Sequence, residues 1–466
     1  MRQFTLFVSL LLVLASPSTA KDLNVHGFVT AVNSPTNFEI DDYKITHDLS
    51  LTPKVKRAKS DPTVTTFKAE DIRVGTELEI TGDYNEATHE LKARSIEVFL
   101  FDTVRINRIA LLEKAVALEK SNSEAWQGTI LADEPVVVSE ATVVTLRKNA
   151  EERQAAKTAK KDSLGPSTPL TSLADINLDT FVHYEGTSQP DGSVLATKVE
   201  FEHAEVAKGE ADLWNEWNPE VKEPDYSASK PGQLKIAYKK YKLLADKDAQ
   251  EYISDLGKTL IPQHQKDLPP GSPLKIPFRF YLVDKKAPDL NSFANGTVIL
   301  NSGLFDVLDN EAQLAFLLEQ EIAEIVEKMD WRDLEYHKRT IAALQVGEVA
   351  ALAVPGLPFA LMPVGKSVLN GDEYARSLQN QLERVGLEWT LAFGYDIREA
   401  PKSWKALSLK GTPSKNVLWT MPEARRSYAA AELKIHYSSV DYSSLKKDSD
   451  DFHRIAHRIQ VAKTGK

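Results

Sequence analysis

The chain has 466 residues, more than one ordinary hydrophobic core organises, so two or three domains are expected. Apolar residues make up 42% and charged residues 27%, which excludes extended disorder. A net charge of -10 excludes the basic footprint of a nucleic-acid binder, and the absence of cysteine excludes a disulfide framework or a thiol-borne lipid anchor.

The first twenty residues read as a signal peptide. Arg2 gives a positive start, Leu6 to Ala15 is a short apolar run, and Ser18-Thr19-Ala20 supplies small residues at a cleavage site. The run is too short to span a bilayer comfortably. The expectation is a mature protein with no integral membrane span, located in the periplasm or outside the cell.

Residues 21–205 read as all-β and internally duplicated. Residues 21–100 hold one copy and residues 123–205 the other, with Gly27 to Gly128, Gly82 to Gly186 and Ala93 to Ala196 at nearly one offset. Apolar and polar residues alternate in Leu78 to Ile80 and Val194 to Phe201, as in half-buried strands, with hairpin turns at Asn85 to His89 and Asp191-Gly192. Both copies carry a basic insertion, Lys54 to Lys59 and Arg147 to Lys161, read as solvated loops. Two tandem small barrels are expected, resembling oligonucleotide/oligosaccharide-fold barrels in outline and naming no ligand. Ile109, Leu112, Ala115 and Leu118 have helical spacing, so a bridging helix is expected over residues 101–122.

Pro219, Pro224 and Pro231 mark residues 206–230 as a linker, which Trp214 and Trp217 pin against a neighbouring domain. The pattern from residue 231 to 466 is mostly helical. Ala237 to Leu260 carries a helical stripe, Ile276 to Val283 and Thr297 to Leu300 read as strands, and Asp309 caps a helix running to Met329. Val349 to Gly365 is nearly uncharged but holds three prolines, which favours a buried connection over a membrane helix.

Asn291-Ser292-Phe293-Ala294-Asn295-Gly296-Thr297-Val298-Ile299-Leu300, followed by Leu308-Asp309-Asn310-Glu311-Ala312-Gln313-Leu314, resembles the strand pair and helix start of HtpX/BepA-type (CAAX prenyl protease-like) zinc metallopeptidases. Tyr374-Ala375-Arg376-Ser377, Arg384-Val385-Gly386-Leu387 and Ala392-Phe393-Gly394-Tyr395-Asp396 resemble the family's later segment. The resemblance implies an α+β, mostly helical domain with a small sheet and a cleft across the sheet edge. It also implies a His-Glu-x-x-His helix whose histidines bind zinc while the glutamate acts as general base, with a third, glutamate ligand downstream.

The ligands of that pattern are replaced here. The zinc-helix segment reads Gln320-Glu321-Ile322-Ala323-Glu324, the third-ligand position is Gln379, the family's Ala-Asp pair is Leu382-Glu383, and its Thr-His-Pro element is Thr420-Met421-Pro422. Of the functional positions only the general-base equivalent, Glu321, survives. A carboxamide oxygen is a weak zinc ligand, and without zinc no bound water is acidified for Glu321 to deprotonate. Carboxylates on one helix also lack the wrapped oxygen coordination that calcium or magnesium needs. Lys328, four residues after Glu324, is positioned to relieve part of the repulsion among Glu321, Glu324 and Glu327.

His453 and His457 have the i, i+4 spacing of a zinc helix but no glutamate at the second position, and a solvated amphipathic helix accounts for them. His337 reads as a surface or satisfied core histidine. The expected function is that of an exported, cofactor-free pseudopeptidase binding polypeptides or envelope proteins. The alternative is an active zinc metalloendopeptidase in envelope quality control using residues such as His453 and His457.

Overall fold

The computed structural model describes residues 21–56, 66–100, 105–149, 167–174, 176–335, 373–409 and 422–464. The signal segment, residues 57–59 and 150–161 of the two basic insertions, His337, the stretch 349–365 and Met421 lie outside the described residues.

The first β unit comprises β1 (Lys21–Phe28), β2 (Ala31–Ser34), β3 (Asn37–Ile40), β4 (Tyr43–Thr46), β5 (Lys54–Lys56), β6 (Glu77–Asn85) and β7 (Glu90–Phe99). The second comprises β8 (Arg105–Leu111), β9 (Ala117–Lys120), β10 (Trp126–Leu131), β11 (Pro135–Val138), β12 (Val143–Arg147), β13 (Ser167–Pro169), β14 (Thr180–Ser188) and β15 (Val194–His203). Their pairings repeat. β1 lies antiparallel to β6 as β8 does to β14, and the hairpin β6–β7 matches the hairpin β14–β15. β4 and β5 run parallel to β7 as β11 and β12 run parallel to β15. Inward residues such as Phe38, Ile45, Leu78 and Leu91 in one unit, and Ile130, Val136, Val199 and Phe201 in the other, fill separate cores.

The glycines explain part of the repeat. Each long hairpin shifts register at one point, between Thr81 and Gly82 and between Glu185 and Gly186, where Gly82 faces Ala93 and Gly186 faces Ala196. A Cβ at Gly82 would lie 2.2 Å from the Lys92 carbonyl oxygen, and one at Gly186 2.3 Å from that of Leu195. Only glycine fits such an approach. The Gly27–Gly128 match, by contrast, is not structural: Gly27 is in β1 and Gly128 in β10, the counterpart of β3.

The bridging helix expected over 101–122 is not there. Its described part forms β8 and β9, and β8 is the first strand of the second copy. Ile106, Arg108 and Ala110 face inward at period two, whereas Ala115, one member of the apparent helical stripe, is exposed. The stretch 206–230 is also more ordered than a linker. It contains α1 (Lys208–Glu216) and β16 (Glu220–Lys222), the latter paired with β17 (Gln233–Ile236), which pairs with β18 (Lys239–Lys242). Trp217 is buried with Leu213, Leu234, Val283 and Ile299, and the Asn295 amide donates to its carbonyl at 2.7 Å.

The helical stripe expected from Ala237 starts only at α2 (Lys247–Leu260), because Ala237 adopts a φ of 50° and residues 239–242 extend as β18. Asp246 caps α2, accepting from the Ala249 N–H. After α3 (Gln263–Asp267) come β19 (Arg279–Val283), β20 (Leu290–Phe293) and β21 (Thr297–Asn301), a sheet of order β19-β21-β20. The strand expected from Ile276 begins three residues later, since Pro277 offers no N–H to the ladder.

The centre of the molecule is α4 (Glu311–Val326), all sixteen residues of which are buried. Its cap is Asn310 rather than Asp309: the Asn310 side chain accepts from the Gln313 N–H at 3.1 Å. Around it pack α5 (Glu373–Ala392), α6 (Ala400–Leu409) and α7 (Pro422–Ile435), while α8 (Asp450–Thr464) joins the far side of the core through Phe452, Ile455 and Ile459. The two β units attach differently. Leu111 and Phe181 of the second unit are members of the α4 core cluster. The first unit leans on α7, where Phe28 packs edge-on against Tyr428 and the Phe28 N–H donates to the Ser427 hydroxyl at 2.9 Å. No helix among the described residues is long and apolar enough to cross a membrane.

Candidate functional site

The positions singled out in the sequence converge where α4, α5 and α7 meet. α4 presents Gln320, Glu321 and Glu324, and α5 presents Gln379 and Glu383, all buried. Polar groups in such a setting are usually partnered, and several here are, although both oxygens of Glu319 on the same helix accept no hydrogen bond among the described residues. The Gln320 amide donates to the Leu382 carbonyl at 3.0 Å, across a helix contact so close that a Cβ at Gly386 would lie 2.2 Å from Gln320 Nε2. Glu324 Oε2 accepts from the Ser292 hydroxyl at 2.7 Å, which ties α4 to β20. Glu383 Oε1 accepts from the Trp404 indole N–H at 2.8 Å.

The cation nearest Glu383 among the described residues is Arg425, on α7 and 5% exposed, and Arg376 lines a small cavity with both. The Arg425 guanidinium donates to the Gln379 carbonyl at 3.3 and 3.0 Å, lies 3.7 Å from Glu383 Oε2, and sits 4.9 Å from the centre of the Trp404 ring. Burial lowers its affinity for its proton, while the charges of Glu383, Tyr428, Glu321 and Glu324 act in the opposite sense. Burial pushes the Glu383 carboxyl up to about 7 against the pull of Arg425 and the Trp404 hydrogen bond.

Lys328, the residue that spacing offers as countercharge, faces elsewhere. Its ammonium donates to the Glu205 carbonyl at 2.7 Å and pairs with Glu210 of α1 at 3.0 Å. Lys328 follows the end of α4 with a φ of 54°, so helical i, i+4 geometry no longer applies to it. Glu327 likewise belongs to another contact: both its oxygens accept from the Leu111 N–H at 3.1 Å, and one accepts from the Gln381 amide at 3.1 Å.

A cavity of about 20 Å³, room for one water, is lined by Gln379, Glu383 and Arg425 together with His26, Phe28 and Glu77 of the first β unit. A larger cavity of about 640 Å³ lies on the other side of Tyr428, between the two β units and α7, and touches none of the five sequence-derived positions. His453 and His457 are exposed on the outer face of α8, and His453 Nε2 lies 2.5 Å from Asp448. Among the described residues no group of three or more His, Cys, Asp or Glu side chains is placed to hold a metal ion.

The family resemblance thus singles out Gln320, Glu321, Glu324, Gln379 and Glu383, which the structure brings together, and it misses Arg425, Trp404 and Ser292. One signal for Arg425 was present. A buried helix carrying Glu321 and Glu324 requires a cation, and Arg425 lies three residues beyond Pro422 of the Thr420-Met421-Pro422 segment.

These features define a buried site of carboxylates and carboxamides, assembled from three helices and a strand and closed by a guanidinium. Known proteins similar to the chain are proteases by name. It is 26% identical over 223 residues to the beta-barrel assembly-enhancing protease of Yersinia pestis, covering 44% of each chain. It is 27% identical over 172 residues to a putative beta-barrel assembly-enhancing protease of Vibrio cholerae, covering 36% of this chain and 34% of that one. For the Escherichia coli K12 protein of the same name the identity is 25% over 168 residues, 34% of this chain and 32% of that one. The chain spans less than half the length of these curated relatives, and no family model matches it.

Proposed function

We propose that the chain is a non-catalytic relative of zinc metallopeptidases that binds polypeptides or other envelope proteins. The observation that carries this reading is the buried Arg425 guanidinium beside Glu383 and the Gln379 carbonyl. Zinc does not fit this donor set. Gln320 offers a carboxamide whose amide is engaged by Leu382, the Gln379 backbone accepts from Arg425, and a fixed positive charge opposes a divalent ion. Without zinc-acidified water, Glu321 has no nucleophile to activate.

The binding part of the reading is supported by the sheet edge. β20 is the outer strand of its sheet and lies against α4, and among the described residues no further strand pairs with it. An extended peptide adds to such an edge through backbone hydrogen bonds. The two β units, as small barrels, extend the surface available to a partner. An exported, envelope location is part of the proposal, and the signal-peptide reading of residues 1–20 supports it.

The test is to incubate the purified chain with a fluorescent unfolded polypeptide, following anisotropy for binding and mass spectrometry for cleavage. Saturable binding without cleavage is expected, with metal analysis giving well below one zinc per chain. Cleavage that disappears with a chelator and with Glu321→Ala would establish the active metalloendopeptidase instead.

A further inference from the structure

Glu321, Glu324 and Glu383 are 1%, 3% and 0% exposed, and a buried carboxyl that ionises is stabilised by a cation beside it whether or not chemistry occurs there. In a zinc site the ion supplies that compensation and also ties the ligand-bearing helices together. We propose that Arg425 has taken over both tasks, so that the site is a structural cation site filled by the chain's own guanidinium. This inference rests on the reading of the site as a former zinc site.

Three observations carry it. The guanidinium of α7 reaches α5 through Gln379 and Glu383, and its charge acts on Glu321 and Glu324 of α4. It therefore ties α7 to α5 directly and acts on α4 through its charge. The Trp404 indole stacks on Arg425 and donates to Glu383, so one side chain orients both members of the ion pair. The Gln379 carbonyl accepts from two guanidinium nitrogens, while the third, Nε, hydrogen-bonds to nothing among the described residues. A guanidinium has five N–H groups and needs acceptors, which a backbone carbonyl provides as well as a side chain does.

That last point accounts for the pattern of replacement. The contact at position 379 is the carbonyl oxygen, so the residue there is free to be glutamine. Gln320 adds no charge beside Arg425 and uses its amide to hold α5 at Leu382. Histidines at 320 and 324, where the family motif has them, would each be able to take up a proton beside a fixed cation. The lost ligands and the arginine belong to one compensated set of changes.

The test is a thermal double-mutant cycle on the full chain with Arg425→Met and Glu383→Gln, with zinc and chelator titrations of the unaltered protein alongside. Arg425→Met is expected to lower Tm by roughly 6–15 °C, because it leaves buried carboxylates without their cation. Adding Glu383→Gln should restore at least half of that loss, and neither zinc nor chelator should move the Tm of the unaltered chain. If Arg425→Met does not fold, Arg425→Lys takes its place. A lysine keeps the charge and loses the planar fork, so it should fold with a smaller Tm loss that Glu383→Gln does not restore.

A cycle without coupling, an Arg425→Met protein as stable as the original, or one zinc per chain whose removal lowers Tm would each overturn the proposal. Peptide cleavage abolished by Glu321→Ala would sink the non-catalytic reading separately, leaving the thermal cycle to decide the role of Arg425.

Discussion

Glu327 makes the joint between the second β unit and the helical core sensitive to pH. Its carboxyl is 1% exposed and pushed up to about 8, first by burial, with Arg332 at 3.6 Å opposing and Asp133 adding to the rise. A carboxyl that holds its proton more tightly in the folded chain stabilises the fold fully below its ordinary value of 4.5. That contribution is lost as pH climbs through about 8. At 1.36 kcal/mol per tenfold change in proton affinity, the displacement corresponds to at most about 5 kcal/mol. Glu327→Gln copies the protonated form and keeps one oxygen to accept from the Leu111 N–H. In urea unfolding followed by circular dichroism between pH 4.5 and 9, the two proteins should be similar at the acid end. The Gln variant should then gain on the original by about 2–5 kcal/mol toward the alkaline end. Parallel profiles, or an original that gains with rising pH, would refute the reasoning and make Glu327 an ionised partner of Arg332.

Two further substitutions probe the joints. Arg384 of α5 donates twice to Asp133 Oδ2, at 3.0 and 2.6 Å, in a contact both partners bury completely or nearly so. Arg384→Met should cost about 3–5 kcal/mol in denaturant unfolding by stranding Asp133, and Asp133→Asn in the same chain should recover part of it. Gly186→Ala, with its Cβ pressed on the Leu195 carbonyl, should cost about 1–3 kcal/mol on the same assay, whereas Ala at the exposed Glu140 should cost under about 0.5 kcal/mol.

Much of this architecture was legible because local chemistry wrote it. Alternation disclosed the long hairpins, since a one-residue slip would turn Leu78 and Ile80 outward. The bulge glycines kept their spacing because nothing larger fits. β8 was misread because Ile109 and Leu112 satisfy a helical period by coincidence, and only its pairing with β14, about seventy residues on, decides between the two. The site divides in the same way. Gln320, Glu321, Glu324, Gln379 and Glu383 were singled out by their place in a family motif, and the structure sets them side by side. Arg425, Trp404 and Ser292 were missed because their roles depend on which helices and strands meet, and spacing within one element says nothing of that.

The unequal attachment of the two β units has a consequence for how this gene can change. Leu111 and Phe181 belong to the same core as α4, so the second copy cannot be excised or exchanged without reopening the interior of its neighbour. The first copy keeps a core of its own and meets α7 in a small buried cluster of Phe28, Tyr428 and Ala431, flanked by the Arg426 pairs with Asp41 and Asp42. Losing the first copy would therefore leave its neighbour's main core whole but uncover Tyr428 and open the small cavity beside Gln379, Glu383 and Arg425, while the second is locked in place by the helices it helped to enclose.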